Sequence, residues 1–297
     1  MKKTVLREYA RLIVRCGINV QKGQEVMIYA DLDQPEFVKL VVEEAYKAKA
    51  KKVIVEWNYQ PLQKIHTRYQ SVKTMGTVEE WVKARQEHFC DVIPARIHLI
   101  SEDPDGLKGI NMAKVAKARQ MSYPILKSYR DRRENKEQWC IAAVPGAAWA
   151  KKVFPGLPKG KAMEKLWEAI LFTSRVTEDP IKAWDEHNKN LDDRCAYLNS
   201  LGIASLHYTA DNGTDLTVGM IPEAQFCGGG EVLNTILDMD EGARYLGECA
   251  LVPQRSPIRE SGILFYNTLF DENAACHLAI GMGFADTIDN FQEKTLE

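Results

Sequence analysis

The sequence predicts an α/β protein: an open-sheet domain of Rossmann-like or flavodoxin-like class, then a smaller β-rich α+β domain. Three observations predict it. Short apolar runs alternate with amphipathic helical stretches through the first half of the chain, the order of βαβ units. Near residue 180 the composition shifts to paired strand-like runs with Asn and Gly turns. The 297 residues also exceed what a single core usually fills, so two domains are expected, at 1–180 and 181–297.

The elements follow in order. VLREYARLIVRC places apolar residues at helical spacing, and GQEVMIYAD is a short strand-like run opened by Gly23. Pro35 begins EFVKLVVEEAYKA, an amphipathic helix with proline in its first turn. KKVIVEW reads as a buried strand, and strand–helix–strand implies a parallel pair with a right-handed crossover. The basic run Lys47 to Lys52 is a solvated helix end complementing the helix dipole. Val78 to Phe89 reads as helix. VIPARIHLIS reads as a strand whose Pro94 suggests an edge or a bulge. Ile110 to Asn135 is helical but interrupted by Pro124, QWCIAAVPG is a strand, KAMEKLWEAILFTSRV is the strongest helix, and Asp179-Pro180 starts another. In the second region SLHYTADNGTDLTVGM has hairpin chemistry around Asn212-Gly213. Three glycines, Gly228 to Gly230, precede a short helix over EVLNTILDMDEGARY, and GECALVP and SGILFYNTLF are strand-like.

Composition excludes several classes. A net charge of -2 and a pI of about 6.3 favour neither a nucleic-acid backbone nor an anionic membrane as partner. The N-terminus MKKTVLREYARL has no apolar core or cleavage site of a signal peptide, and no run approaches a spanning helix, so a cytoplasmic protein is expected. Seven scattered cysteines without a CxxC pair indicate reduced thiols, not a disulfide frame or a thiolate zinc site.

The chemistry narrows by elimination. The glycine run after Phe226 is not GxGxxG, and the turn after the first strand reads ADLDQPE, whose aspartates would repel a pyrophosphate. There is no GxSxG elbow. Metal ligation remains. The acids and histidines of the second region are His207, Asp215, Glu223, Glu231, Asp238, Asp240, Glu241, Glu248, Glu260, Asp271, Glu272 and His277. Glu248 lies beside the apolar run CALV, and a carboxylate there needs a partner. His277 opens HLAIG, with small Ala279 and Gly281 at alternate positions leaving room for a ligand. Carboxylate and imidazole suit Zn²⁺ or Co²⁺. The competing uses are ordinary. A histidine in an apolar stretch is more often a hydrogen-bonded core residue, Glu248 could pair with Arg244 or Arg259, and Asp271 and Glu272 could cap a helix starting near Asn273.

The stretches NGTDLTVGMIPEAQFCGGG, MDEGARYLGECALVPQRSPIRESGILFYNTLFDENAACHLAIGMGFADTI and, more weakly, GINVQKGQEVMIYAD resemble the metallo-aminopeptidase family of aminopeptidase T, aminopeptidase S and PepS. The resemblance implies a cytoplasmic exopeptidase acting on peptides, a homodimer with an enclosed cavity, and two divalent metals per active site, Zn or Co. It places metal ligands at Glu248, in GE-x-AL, and at His277, in DEN-x-x-x-H-x-A-x-G. The chain departs from the pattern in three places. Phe284 stands where the family has a tyrosine. The segment between the glycine run and DMDEGA, which carries an NIPTEE-like ligand motif, is absent. So is a terminal His-x-Asp pair. The expectation is therefore an incomplete peptidase, inactive alone. The alternative is a non-catalytic binding or dimerisation protein derived from one.

Overall fold

The computed structural model describes residues 1–133, 136–209, 211, 213–220 and 226, and the backbone of six short strands between 231 and 282. Four parallel strands form the central sheet: β1 (Glu25–Asp31), β2 (Lys52–Asn58), β3 (Ala95–Ile100) and β4 (Trp139–Ala143), in the order β2-β1-β3-β4. The βαβ reading of the first half holds, with α2 (Pro35–Lys47) between β1 and β2.

That order decides which face each helix covers. The chain moves to one side from β1 to β2 and to the other from β2 to β3 and β3 to β4. Right-handed crossovers then put α2 on one face, and α5 (Glu80–Val92) and α6 (Met112–Arg133) on the other. The α2 face is apolar. Val26, Ile28 and Ala30 align with Ala95, Ile97 and Leu99, and Ile97 and Leu99 align in turn with Cys140 and Ala142. Onto them pack Leu12 of α1 (Lys3–Leu12), Val41 of α2 and Leu166 of α8 (Lys159–Thr173). Each such side chain stabilises the fold by about 1.5–3 kcal/mol on burial. Tyr9 sits among them. Its ring lies tilted against Phe37 and edge-to-face with Trp167, and its hydroxyl donates to the Ala143 carbonyl at 3.1 Å.

The opposite face is mixed. Met27 is buried, but Tyr29, Arg96 and His98 are only partly covered. Side-chain bonds tie α5 and the turn below it to this side: Gln24 to the Ile93 carbonyl, and Arg85 to Glu56 at 2.7 Å.

Three expectations change on contact with the structure. Pro94 marks neither an edge nor a bulge: β3 is central, and the proline lies just before its first residue, where no ladder N–H is required. Helix α6 runs unbroken through Pro124. The lost bond to the Gln120 carbonyl falls on a largely exposed helix, and the Ser122 hydroxyl lies 3.2 Å from the Arg119 carbonyl in that turn. The backbone of Glu231–Asn234 is a strand, β7, not the start of a helix, and it pairs antiparallel with β10 (Leu251–Gln254). A run this short cannot reveal its period, so strand pairing decides its form.

Helix α9 (Pro180–Ser200) begins where composition shifts, and the Asp179 side chain accepts the Lys182 N–H as its cap. It serves two apolar clusters. Trp184 belongs to the sheet's core, while Leu191 and Cys195 pack with Phe226. Beyond it, β5 (Ser205–Thr209) and β6 (Asp215–Gly219) form the expected hairpin. Its connection is five residues long, with Gly213 at φ 90°. Residues 238–239 and 243–244 (β8 and β9) pair as a second short ladder. β11 (Ile263–Asn267) and β12 (Leu278–Met282) make a third.

Candidate functional site

In an open parallel sheet, ligands usually sit beyond the carboxyl ends of the strands where the order reverses. Here that point lies between β1 and β3. The chain fills it with its own side chains. Asn58 donates to Asp31 at 2.6 Å, and the Ser101 hydroxyl lies 2.8 Å from Asp33 and 3.3 Å from Asp31. Gln34 donates to the Pro145 carbonyl at 3.1 Å. Gln60 clamps the next loop, donating to the Asp103 carbonyl and accepting the Asp103 N–H, each at 3.0 Å. Gly146 approaches so closely that a Cβ there would lie 1.9 Å from the Ser101 carbonyl oxygen. Burial, with the nearby Asp33 charge, raises the Asp31 carboxyl above its usual range, and burial with Asp31 and Asp33 raises Glu102. A closed, acidic crevice repels phosphate, in keeping with the ADLDQPE turn.

The described residues hold no group of three or more His, Cys, Asp or Glu side chains arranged for a metal ion. Of the residues singled out in the second region, His207 and Asp215 meet at 2.6 Å, an exposed pair across the hairpin and not a buried ligand set. Glu248 and His277 lie outside the described residues. So do Glu223, Asp240, Glu241, Glu260, Asp271, Glu272 and Phe284, while Glu231 and Asp238 are described as strand backbone alone. Two backbone facts lie next to these two residues. Leu278, next after His277, pairs with Asn267, and Leu251, three residues after Glu248, pairs with Asn234. Among the described residues, Cys16, Cys90, Cys140 and Cys195 are not joined in disulfides. Among the described residues no helix is long and apolar enough to cross a membrane.

The family model described as "Thermophilic metalloprotease (M29)" matches residues 2–232 and 223–297, which together span nearly the whole chain. The chain belongs to this family of metallopeptidases. Its curated relatives in the family carry aminopeptidase names. Aminopeptidase AmpS of Bacillus subtilis is 33% identical over 359 residues, covering 98% of this chain and 87% of that one. Aminopeptidase PepS of Streptococcus thermophilus is 33% identical and covers 99% and 88%. Aminopeptidase T of Thermus thermophilus is 30% identical and covers 97% and 86%. A solved structure titled "Wild-type AmpT from Thermus thermophilus" superposes with a TM-score of 0.73 at 28% identity, over 89% of this chain and 62% of that chain. The chain thus spans less than two-thirds of that solved chain. The alignment to AmpS runs over 359 positions against a 297-residue chain, so tens of positions fall opposite gaps here. The two family matches meet and overlap at residues 223–232.

A different feature leaves almost no trace in the linear sequence: the polar cluster around Tyr29 on the second face of the sheet. Its members come from three strands and two helices, so no linear spacing advertises it. The only local cue is the pair of polar residues, Arg96 and His98, alternating with apolar ones in β3.

Proposed function

We propose that this chain carries the framework of a metal-dependent aminopeptidase, acting on peptide N-termini, with Glu248 and His277 as metal ligands in a C-terminal catalytic domain at 181–297. What carries the reading is the M29 match along the chain, together with the family motifs GE-x-AL and DEN-x-x-x-H-x-A-x-G in which these two residues stand. A divalent ion, Zn²⁺ or Co²⁺ and two per site in the family pattern, supplies Lewis acidity and a water of lowered pKa when bound. The chain's own part is to hold the ions and to place the peptide's free α-amine beside one of them or beside a carboxylate. That placement restricts hydrolysis to the N-terminal residue. A homodimer in the cytoplasm is the setting this reading expects.

The reading also holds that the chain is incomplete as a catalyst. A single catalytic zinc ordinarily takes three protein ligands, and the family pattern supplies two here. Support comes from the junction. The family matches break at residues 223–232, where the sequence passes from the glycine run straight into EVLNTILDMDEGA without the NIPTEE-like segment.

Two tests bear on it. Sequencing of the coding DNA across Gly230 and Glu231 should recover an NIPTEE-like segment if the chain derives from a longer peptidase. An uninterrupted native frame there favours the non-catalytic binding protein instead. In an assay of amino-acid release with added Zn²⁺ or Co²⁺, the 297-residue chain should be inactive. Robust release, abolished by Glu248→Ala, would overturn the claim of incompleteness and keep the ligand.

A further inference from the structure

One corner of the sheet domain is built against the usual pattern. Helices α3 (Pro61–Tyr69) and α4 (Val72–Gly76) follow β2 and join the N-terminal half of α6. α4 lies so close to α6 that a Cβ on Gly76 would come within 2.8 Å of the Met121 Cβ, and the Lys114 ammonium of α6 donates to the Thr67 carbonyl of α3. A surface helix normally turns its apolar stripe inward. α3 does the reverse. Its one buried residue is Thr67, whose hydroxyl donates to the Gln63 carbonyl at 2.7 Å. Leu62, Ile65 and Tyr69, spaced i, i+3, i+7 along one stripe, are 43%, 51% and 78% exposed. Met112, at the start of α6, is 53% exposed.

The charges of this corner are of one sign. Neither residues 57–78 nor residues 106–130 contain an Asp or a Glu. Farther along α6 the cations are balanced: Lys127 by Asp131, Arg132 by Glu87 at 2.7 Å and Arg133 by Glu137 at 3.5 Å. Lys64, Arg68, Lys73, Lys114, Lys117 and Arg119 have no carboxylate partner among the described residues. The whole-chain charge of -2 conceals this, because the acids lie elsewhere. An anionic surface disfavoured by the average is therefore favoured at this corner. Candidate partners differ in what they require. Single-stranded nucleic acid needs aromatic rings to stack its bases, whereas Leu62, Ile65 and Met112 are aliphatic. Protein interfaces are depleted in lysine, and four of these six cations are lysines. A second copy meeting the first through this face would set cation against cation. A bilayer surface with anionic headgroups takes both features: aliphatic side chains enter the acyl boundary while long Lys and Arg side chains reach the headgroups.

We propose that the corner of α3, α4 and the N-terminal half of α6 is a docking surface for an anionic lipid bilayer. Leu62, Ile65 and Tyr69 enter the interface and the six cations face the headgroups. The docking is peripheral, and among the described residues no helix is long and apolar enough to cross the bilayer. The surface uses neither Glu248 nor His277 and does not depend on the peptidase reading.

The test is flotation of the full chain with vesicles of phosphatidylcholine alone and of phosphatidylcholine and phosphatidylglycerol in equal amounts. The expected result is binding to the mixed vesicles only, weakened by added salt. Each cation near an anionic surface is worth about fivefold in affinity, so Lys64→Gln with Arg68→Gln should lower the partition by about 25-fold. Ile65→Ser should lower it by about tenfold at unchanged charge. Lys165→Gln with Lys182→Gln removes equal charge from α8 and α9 and should leave binding near the parent value. All of these side chains are exposed, and a thermal melt checks the fold of each variant. No binding to the mixed vesicles, equal binding to both vesicle types, equal loss in the two double variants, or full binding by Ile65→Ser would overturn the proposal. Binding to poly(U) RNA without vesicle binding would overturn it in favour of a nucleic acid.

Discussion

His98→Gln probes the physics of the second sheet face. Burial, followed by repulsion from Arg96, lowers the His98 pKa from the ordinary 6.5 to about 4. The folded imidazole therefore resists protonation while the unfolded one accepts it. Stability from this group is present above pH 6.5 and is lost as pH falls toward 4, because the unfolded state binds the extra proton in that window. Integrating the linkage between those two pKa values gives a loss of about 2 kcal/mol between pH 7 and pH 5, and about 3 kcal/mol once pH falls to 4. Burial also raises the carboxyls of Asp31 and Glu102, and such contributions cancel in the difference between parent and variant. Losing the ring stack on Tyr29 lowers the variant's stability at every pH without adding a slope. The assay is urea unfolding at pH 7, 6 and 5, with midpoints compared at a common m-value. The parent should lose about 2 kcal/mol more than His98→Gln across that range. Parallel pH profiles would refute the claim that the partly buried His98 ring is held neutral.

Other positions give sharper structural readouts. Gly146→Ala places a Cβ 1.9 Å from the Ser101 carbonyl oxygen, so the β4–α7 loop must shift, where α7 is Ala147–Val153. A loss of about 1–3 kcal/mol and a lower Tm are expected, and an unchanged Tm would contradict the packing. Tyr9→Phe removes the 3.1 Å bond to Ala143 while keeping the ring contacts with Phe37 and Trp167, and should cost about 1 kcal/mol in urea unfolding. Asn199→Ala deletes a reciprocal pair, because its side chain accepts the Phe226 N–H at 2.7 Å and donates to the Phe226 carbonyl at 3.0 Å. The Phe226 amide should then exchange with solvent about tenfold faster or more, with little change in the exchange of β1.

Much of the sheet domain was legible because its signals are local. Gly23 and Pro35 bracket β1 and open α2, and Asp179 caps α9 where its sequence predicts. The prolines misled for a physical reason. Pro94 needs no N–H where it stands, and Pro124 sits on a helix exposed enough to tolerate a missing bond. The short helices α3 (Pro61–Tyr69), α4 (Val72–Gly76) and α7 left no periodic trace, since they bury few side chains and leave residues such as Tyr69 exposed. The proposal for Glu248 and His277 rests on the family motifs around them, since their neighbours allow ordinary structural uses as well. The Tyr29 cluster was not readable at all. Strand register, which a linear pattern does not contain, brings Glu56, Tyr29 and His98 side by side.

We propose that Glu248 and His277 are two ligands of a peptidase metal site left incomplete in this chain, a reading open to direct measurement. Its most direct test is the metal content of the protein purified without chelator, measured by mass spectrometry beside amino-acid release with added Zn²⁺ or Co²⁺. The expected result is no tightly held metal and no release, with any weak Zn²⁺ binding reduced further by His277→Ala. Two metals per chain together with steady release would contradict it, because residues outside the family pattern would then have to complete the site.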